Sequence, residues 1–302
     1  MSTQEKTIDT LIQDIYTYLE QDERGGLSHF NIDELAAEIA TMLKNRLEER
    51  RRDTFTLRVS NYGLPPRRLW FDSHRPRYKH KGPTLLKFLI GDIYEAAILF
   101  LAKAAGHKVE DEQKTVSVHG IEGHLDASID GVLVDVKSAS KWAYKQKFEG
   151  KGLLSGDDSF AYIPQLLGYE EAVKKGRCGF LAANKETGEL TFLEVPKEKK
   201  LEVDVATVAK NAKAALAAEL PPEEKCFAPE SDGVFGNQIL NKACQFCSHK
   251  MECWKDANNG AGLRVFNYSK GPVFFTDIKK VPKVEEVTHL WNGATEDEDA
   301  EV

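Results

Sequence analysis

The run GHLDASIDGVLVDVK, from Gly123 to Lys137, constrains the fold of this chain more than any other segment. Asp130-Gly131 lies between two alternating apolar runs, and Asp-Gly readily takes the positive backbone angles of a two-residue hairpin turn. With these as turn residues, Ile129 faces Val132, Asp126 faces Asp135 and His124 faces Lys137, which puts the four polar side chains on one face. The other face carries Leu125, Ala127, Ile129, Val132, Val134 and Val136, an apolar set whose burial fixes the register. Chemistry is therefore expected on the polar face.

Opposed carboxylates on neighbouring strands repel, so something must offset the Asp126–Asp135 pair. One answer is water on a solvated sheet face. The other is a divalent cation held by Asp126, Asp135 and a neighbouring backbone carbonyl, with Lys137 beside it; hard Mg2+ takes such oxygen ligands and leaves room for a substrate phosphate.

Around this hairpin the sequence reads as an ordinary globular chain. Amphipathic segments at residues 7–19 and 32–47 predict two helices, the second capped by Asn31 with Glu34 as its capping-box partner. A Pro- and Arg-rich connection follows, then a helix over residues 85–105 that Gly106 ends. Alternating strands fill residues 107–138, helices are expected at 144–149, 160–175 and 203–220, and a second hairpin turns near Glu186 to Gly188. The expected divisions are a helical extension (1–56), a core (57–222), a cysteine-rich subdomain (223–270) and a C-terminal segment (271–302) ending in a disordered acidic tail with Glu296, Asp297, Glu298, Asp299 and Glu301. That tail is a candidate docking segment for a replication or recombination protein. No run is apolar enough for a membrane span, and no leader-like segment opens the chain, so a cytoplasmic protein without a membrane partner is expected. The sequence leaves oligomeric state open.

The formal net charge is -7, which argues against a polyanionic partner, but residues 41–90 carry 13 Lys and Arg against 4 Asp and Glu. Such a stripe keeps nucleic acid open as a partner. Within it, Arg67, Arg68, Arg75, Arg77 and Lys79 alternate with Trp70, Phe71 and Tyr78. They form either a strand-binding wall of cations and stacking rings, or a basic loop whose aromatics pack inward.

Four of the five cysteines, Cys226, Cys244, Cys247 and Cys253, crowd the C-terminal quarter, a pattern for metal in a reducing compartment rather than for disulfides. Four thiolates suit tetrahedral Zn2+ or a [4Fe-4S] cluster, and a cluster of reduced, unliganded thiols is the simpler alternative. His249 is the next candidate ligand, and Cys178 stands apart as a buried thiol.

Gly123-His124-Leu125-Asp126 followed by Asp135-Val136-Lys137 resembles the paired acidic and acid-x-Lys motifs of the PD-(D/E)XK nuclease superfamily. Gln165-x-x-x-Tyr169 is similar to the Gln-x-x-x-Tyr motif of its RecB-like branch, and otherwise reads as an unremarkable amphipathic helix. Gly91-x-x-x-Glu95 resembles the version carried by phage-encoded RecB-like exonucleases; Glu95 is either a third carboxylate ligand or a solvated helix residue. Cys244-x2-Cys247-x5-Cys253 matches the last three cysteines of the iron-sulfur staple in CRISPR-associated RecB-like nucleases. Where that staple has its first cysteine, this chain has Pro65-Pro66-Arg67, and Cys226 is the best substitute.

The resemblance spans residues 57–254. It implies an α/β fold: a restriction-endonuclease-like core with a central mixed sheet flanked by helices, a helical N-terminal extension and a C-terminal cysteine-ligated metal staple. It implies a Mg2+- or Mn2+-dependent deoxyribonuclease, an exonuclease of phage-type replication, recombination or repair, working in the host cytoplasm if phage-encoded. Asp126, Asp135, Glu95 and the Val136 carbonyl would hold the metal, Lys137 would orient water, and Gln165, Tyr169, Arg67, Arg68, Trp70 and His124 would hold DNA. For His124 a structural hydrogen bond is an equal reading, and the charge state of Lys137 stays open, since metal favours the amine and carboxylates the ammonium. The alternative is a non-catalytic nucleic-acid-binding module on the same fold; a metal-stapled interaction protein is a third.

Overall fold

Asp130 and Gly131 both adopt positive φ, 50° and 81°, as a two-residue hairpin turn demands. The pairing they set, Ile129 with Val132, Ser128 with Leu133 and Ala127 with Val134, is the register expected from the sequence. This hairpin is the centre of a computed structural model that describes residues 6–21, 29–50, 54–76, 80, 82–156 and 158–291.

The first helices are α1 (Leu11–Leu19), α2 (Ile32–Arg50), α3 (Pro66–His74), α4 (Gly82–Ala104), α5 (Lys141–Ala143) and α6 (Tyr162–Val173). The strands are β1 (Val109–Glu110), β2 (Thr115–Val118), β3 (Ile121–His124), β4 (Ala127–Ile129), β5 (Val132–Ala139), β6 (Cys178–Asn184), β7 (Leu190–Glu194), β8 (Glu230–Asp232), β9 (Asn237–Ile239), β10 (Arg264–Tyr268) and β11 (Gly271–Asp277). The capping box forms: the Glu34 amide donates to Asn31 Oδ1 at 3.2 Å, and Asn31 Nδ2 donates to Glu34 Oε2 at 3.0 Å.

The chain divides into two units, one of residues 1–64 and 82–213, the other of residues 65–81 and 214–302. In the first unit a mixed five-stranded sheet runs β1-β4-β5-β6-β7, with β5 and β6 parallel and every other pair antiparallel. Parallel neighbours need a crossover, and α5, a π-helix at Tyr144–Glu149 and α6 supply it. Ala127, Ile129, Val132, Val134 and Val136 pack with Leu11 and Ile15 of α1 and Leu99 of α4 in one buried cluster. The N-terminal helix is thus part of the core rather than an appendage, because its apolar face completes that side of the sheet. α6 packs against β2 and β6, and the Asp135–Gln165 hydrogen bond joins it to β5. The architecture is α/β, a central mixed sheet flanked by helices.

The second unit contains α3, short helices at Lys242–Gln245 and Lys250–Cys253, and a four-stranded antiparallel sheet ordered β10-β11-β9-β8. Trp70, Phe71, Cys244, Cys253, Trp254 and Phe274 share its core. Part of the Pro- and Arg-rich connection before α4 is helical: Pro66 starts α3, where a missing amide costs nothing at a helix start. The segment from residue 271 begins as β11 and pairs with β10. The acidic residues 296–301 lie outside the described residues. Among the described residues, no helix is long and apolar enough to cross a membrane.

Candidate functional site

The β4–β5 ladder ends at Ala127–Val134, and there the chain leaves the sheet through Leu125 and Asp126. Asp126 then serves β5 with its side chain, Oδ2 accepting the Val136 amide at 2.7 Å. Asp135, on β5, is only 2% exposed. Its Oδ2 stands 2.5 Å from Lys137 Nζ, and its Oδ1 accepts from Gln165 Nε2 at 3.1 Å. Alternation along one strand places Asp135 and Lys137 on the same face, which is why they meet. Burial works to lower the Lys137 pKa, but the Asp135 and Asp126 carboxylates outweigh it and raise it, so Lys137 is held as an ammonium. Water does not screen this face, so the solvated alternative does not apply to Asp135.

Glu95 reaches the same neighbourhood through a residue that the sequence did not single out. Gln113 takes a positive φ of 52°, its amide donates to the Asp126 carbonyl at 3.0 Å, and its Nε2 donates to Glu95 Oε1 at 2.5 Å. One side chain in a sparsely populated backbone conformation therefore ties the buried carboxylate of α4 to the end of the hairpin. The polar run Asp111-Glu112-Gln113-Lys114 between alternating segments was the available signal for a loop.

α6 supplies three contacts on one face. Gln165 meets Asp135, as above. Tyr169 is buried against β3: a Cβ on Gly123 would lie 2.8 Å from its ring and 2.9 Å from its hydroxyl, so only glycine admits this phenol. Tyr162, a turn before Gln165 and also unanticipated, presents its ring 4.9 Å from Lys137 Nζ. Burial raises the Tyr162 pKa, although Lys137 opposes it. Asp158 sets the start of α6 by accepting the Tyr162 and Ile163 amides at 2.7 and 2.9 Å.

Other expected residues fall elsewhere. His124 does not face Lys137: β3 pairs with β2, and His124 stands opposite Thr115. The break at Leu125–Asp126 ends the hairpin ladder before it reaches His124. Trp70 is 4% exposed, its indole N–H donates to the Ala218 carbonyl at 2.9 Å, and its ring stacks on His74 at 4.5 Å. It packs in a core and offers no platform to a base. Arg75 chelates Glu252, with Nε 2.8 Å from one oxygen. Arg77, Tyr78 and Lys79 lie outside the described residues.

Arg67 and Arg68 belong with the cysteines. Cys226, Cys244, Cys247 and Cys253 line one pocket together with Arg68, Phe71 and His249. Arg67 Nε donates to Cys253 Sγ at 3.1 Å, and another of its nitrogens donates to the Pro222 carbonyl. Backbone amides of Arg68 and His249 donate to the sulfurs of Cys226 and Cys247. Burial, and then the neighbouring cysteines, push the Cys226 thiol up to about 11 and the Cys244 thiol to about 12. Burial raises Cys247 as well, against the pull of Arg68. His249 Nε2 is engaged by Asp72 at 2.8 Å, which leaves the four thiols as the soft donor set. Cys178, in the first unit, is fully buried and raised to about 11 by burial.

Soft sulfurs that accept amide hydrogens suit thiophilic metal, and hard carboxylates suit Mg2+ or Mn2+. As the side chains lie, no three His, Cys, Asp or Glu among the described residues are mutually placed to hold an ion. No family model matches the chain, and no curated protein matches it. Among solved structures, the crystal structure of SSO0001 is similar at 18% identity over 61% of this chain and 88% of its own, with a TM-score of 0.36, a likeness too slight to carry an argument.

Proposed function

We propose that this chain is a Mg2+- or Mn2+-dependent DNA nuclease of the PD-(D/E)XK type, acting as an exonuclease. The observation that carries the reading is the Asp126–Asp135–Lys137 group, two acids and an ammonium at one end of a hairpin, which α6 reaches with Gln165. Phosphodiester hydrolysis needs a held phosphate, a directed water and relief of charge building on oxygen. Asp126, Asp135, Glu95 and the Val136 carbonyl are the oxygen donors for the metal, which when bound supplies Lewis acidity and lowers the pKa of water.

The chain's own groups divide the remaining work. Lys137, as an ammonium, directs water and donates toward the charged oxygens rather than taking a proton. Gln165 holds the Asp135 carboxylate in place. Tyr169 locks α6 onto β3, so its role is positioning rather than contact with DNA. In the second unit, Cys226, Cys244, Cys247 and Cys253 hold Zn2+ or an iron-sulfur cluster as a staple. Arg67 and Arg68 then serve that staple instead of the strand.

The test is digestion of end-labelled linear DNA beside a closed circle in Mg2+, by the wild-type chain and by Asp126→Ala, Asp135→Ala and Lys137→Ala. The expected result is loss of the linear substrate alone, abolished in all three variants. Equal digestion by all four proteins would refute the assignment. Salt-dependent DNA binding without turnover would replace it with the binding-module reading.

A further inference from the structure

From the carboxylate centre a series of contacts through one ammonium and two rings leads to an exposed phenylalanine. Asp135 pairs with Lys137, and Lys137 Nζ lies 4.9 Å from the Tyr162 ring. The Tyr162 ring stacks on Phe160 at 5.7 Å and 24°. Lys147 Nζ lies 5.2 Å from the Phe160 ring. Asp135 is 2% exposed and Phe160 42%, while Lys147 beside that ring is buried.

Core packing alone does not account for Phe160. A large ring with so much open surface touches the half-buried Tyr162 ring and lies near the Nζ of Lys147, whose own side chain is buried. Its position is well fixed, because Asp158 caps the helix that begins two residues later. The surrounding segment is basic: residues 137–151 carry five lysines and one glutamate. Trp142, in the same segment, is 54% exposed. Exposed aromatic faces in a cationic setting fit nucleobases, because every base has a π-face and its phosphates complement the lysines.

We propose that Phe160 is a stacking platform for an unpaired base of the strand whose phosphate occupies the Asp126–Asp135–Lys137 centre. The placement of that phosphate rests on the nuclease reading above. An internal base pair has both faces covered by its neighbours, so a base that lies on Phe160 comes from a single strand or a frayed end. Charge alone would bring either form; the ring makes the choice.

The test uses the full chain, with no Mg2+ or Mn2+ added so that hydrolysis does not run and no chelator that would strip the cysteine site, with a fluorescein-labelled oligothymidine, a blunt duplex and an abasic strand of the same length. Phe160→Leu keeps apolar bulk without a π-face, and Phe160→Trp keeps the face. Anisotropy is expected to show Phe160→Leu about tenfold weaker on oligothymidine, Phe160→Trp equal to wild type, and all three proteins alike on the duplex and the abasic strand. Unchanged oligothymidine binding in Phe160→Leu, or an equal loss on the abasic strand, would overturn the platform. A loss shared by Phe160→Trp would also overturn it, since that pattern reports a packing defect. Hydrolysis by the wild-type chain is measured separately in Mg2+: its absence refutes the nuclease reading, whereas the base-dependent difference in binding decides the platform.

Discussion

Asp135 and Cys244 are both buried ionisable groups, yet the chain treats them differently. Asp135 receives an ammonium at 2.5 Å and an amide at 3.1 Å from its own chain. Cys244 sits among three further cysteines, and its thiol is pushed up to about 12, with only a partial offset from Arg68. The carboxylate centre thus has its charge balanced by protein groups, while in the cysteine pocket Arg67 and Arg68 offset only in part the burial that raises Cys226, Cys244 and Cys247. This difference separates the two proposed metals by role: the first ion joins a site that folding already balances, and the second contributes to folding itself.

The sharpest way to break this comparison is to remove a thiol. Cys244→Ser is expected to abolish stoichiometric binding of zinc or iron and to cost the second unit several kcal/mol, on the order expected of a structural metal site. Calorimetry should show the transition of the second unit falling while that of the first stays in place. Chelation of the wild-type chain should do the same. If both transitions persist unchanged after metal is stripped, the pocket is a cluster of reduced thiols and the contrast fails.

The next largest effect belongs to the first unit. Lys137→Met leaves the Asp135 carboxylate buried without its cation and is expected to cost about 3–5 kcal/mol in urea unfolding, independent of added metal. Pairing it with Asp135→Asn removes the orphaned charge and should restore most of that stability while leaving the protein inactive. A double variant as unstable as the single one would mean that Lys137 contributes by packing, and that the centre is not balanced by charge.

Legibility in the sequence followed the range of the interactions. The Asp130-Gly131 turn, its register and the Asn31–Glu34 cap were readable because each is decided by residues a few positions apart. Asp135 and Lys137 were readable because alternation alone puts them together. Extending the same ladder to His124 failed, since pairing of β3 with β2 competes for that strand and the local pattern cannot weigh the two. Gln113 was hidden because its role depends on a positive φ in a loop and on a partner in a distant helix. Whether Trp70 and its arginines form a strand-binding wall or pack inward stays open in the sequence, because composition does not say which face of α3 is covered; the residues around the cysteines cover it.

A smaller effect sharpens the comparison from within the carboxylate centre. Gln113→Ala removes the amide that donates to Glu95 Oε1 and with it the side chain that ties α4 to the hairpin. Residues that orient ligating carboxylates typically change metal affinity by about 10–100-fold, and a loss near the lower end is expected for Mn2+ titrated by calorimetry. Stability should change by less than in Lys137→Met, because no charge is orphaned. Wild-type Mn2+ affinity in Gln113→Ala would remove Glu95 from the ligand set.

The smallest effect sets the scale of balance that the chain supplies near its surface. Asp111 pairs with Lys114 at 2.9 Å and Lys175 at 3.0 Å, and these lysines hold its carboxyl down to about 2. A carboxyl more acidic in the folded than in the unfolded chain contributes stability that is complete above the unfolded value and is lost as pH falls through the folded one. Here that window runs from 3.8 down to about 2. Asp111→Asn removes the contribution, so urea unfolding should show wild type ahead of the variant at pH 6 by roughly 1 kcal/mol or less once solvent screening is allowed for. The gap should narrow as pH drops below 4 and shrink in high salt. A gap that instead persists to pH 2.5 in high salt would show that Asp111 acts through its 3.3 Å contact with the Ser128 hydroxyl rather than through charge, and surface ion pairs would then say nothing about how the buried Asp135–Lys137 pair is balanced.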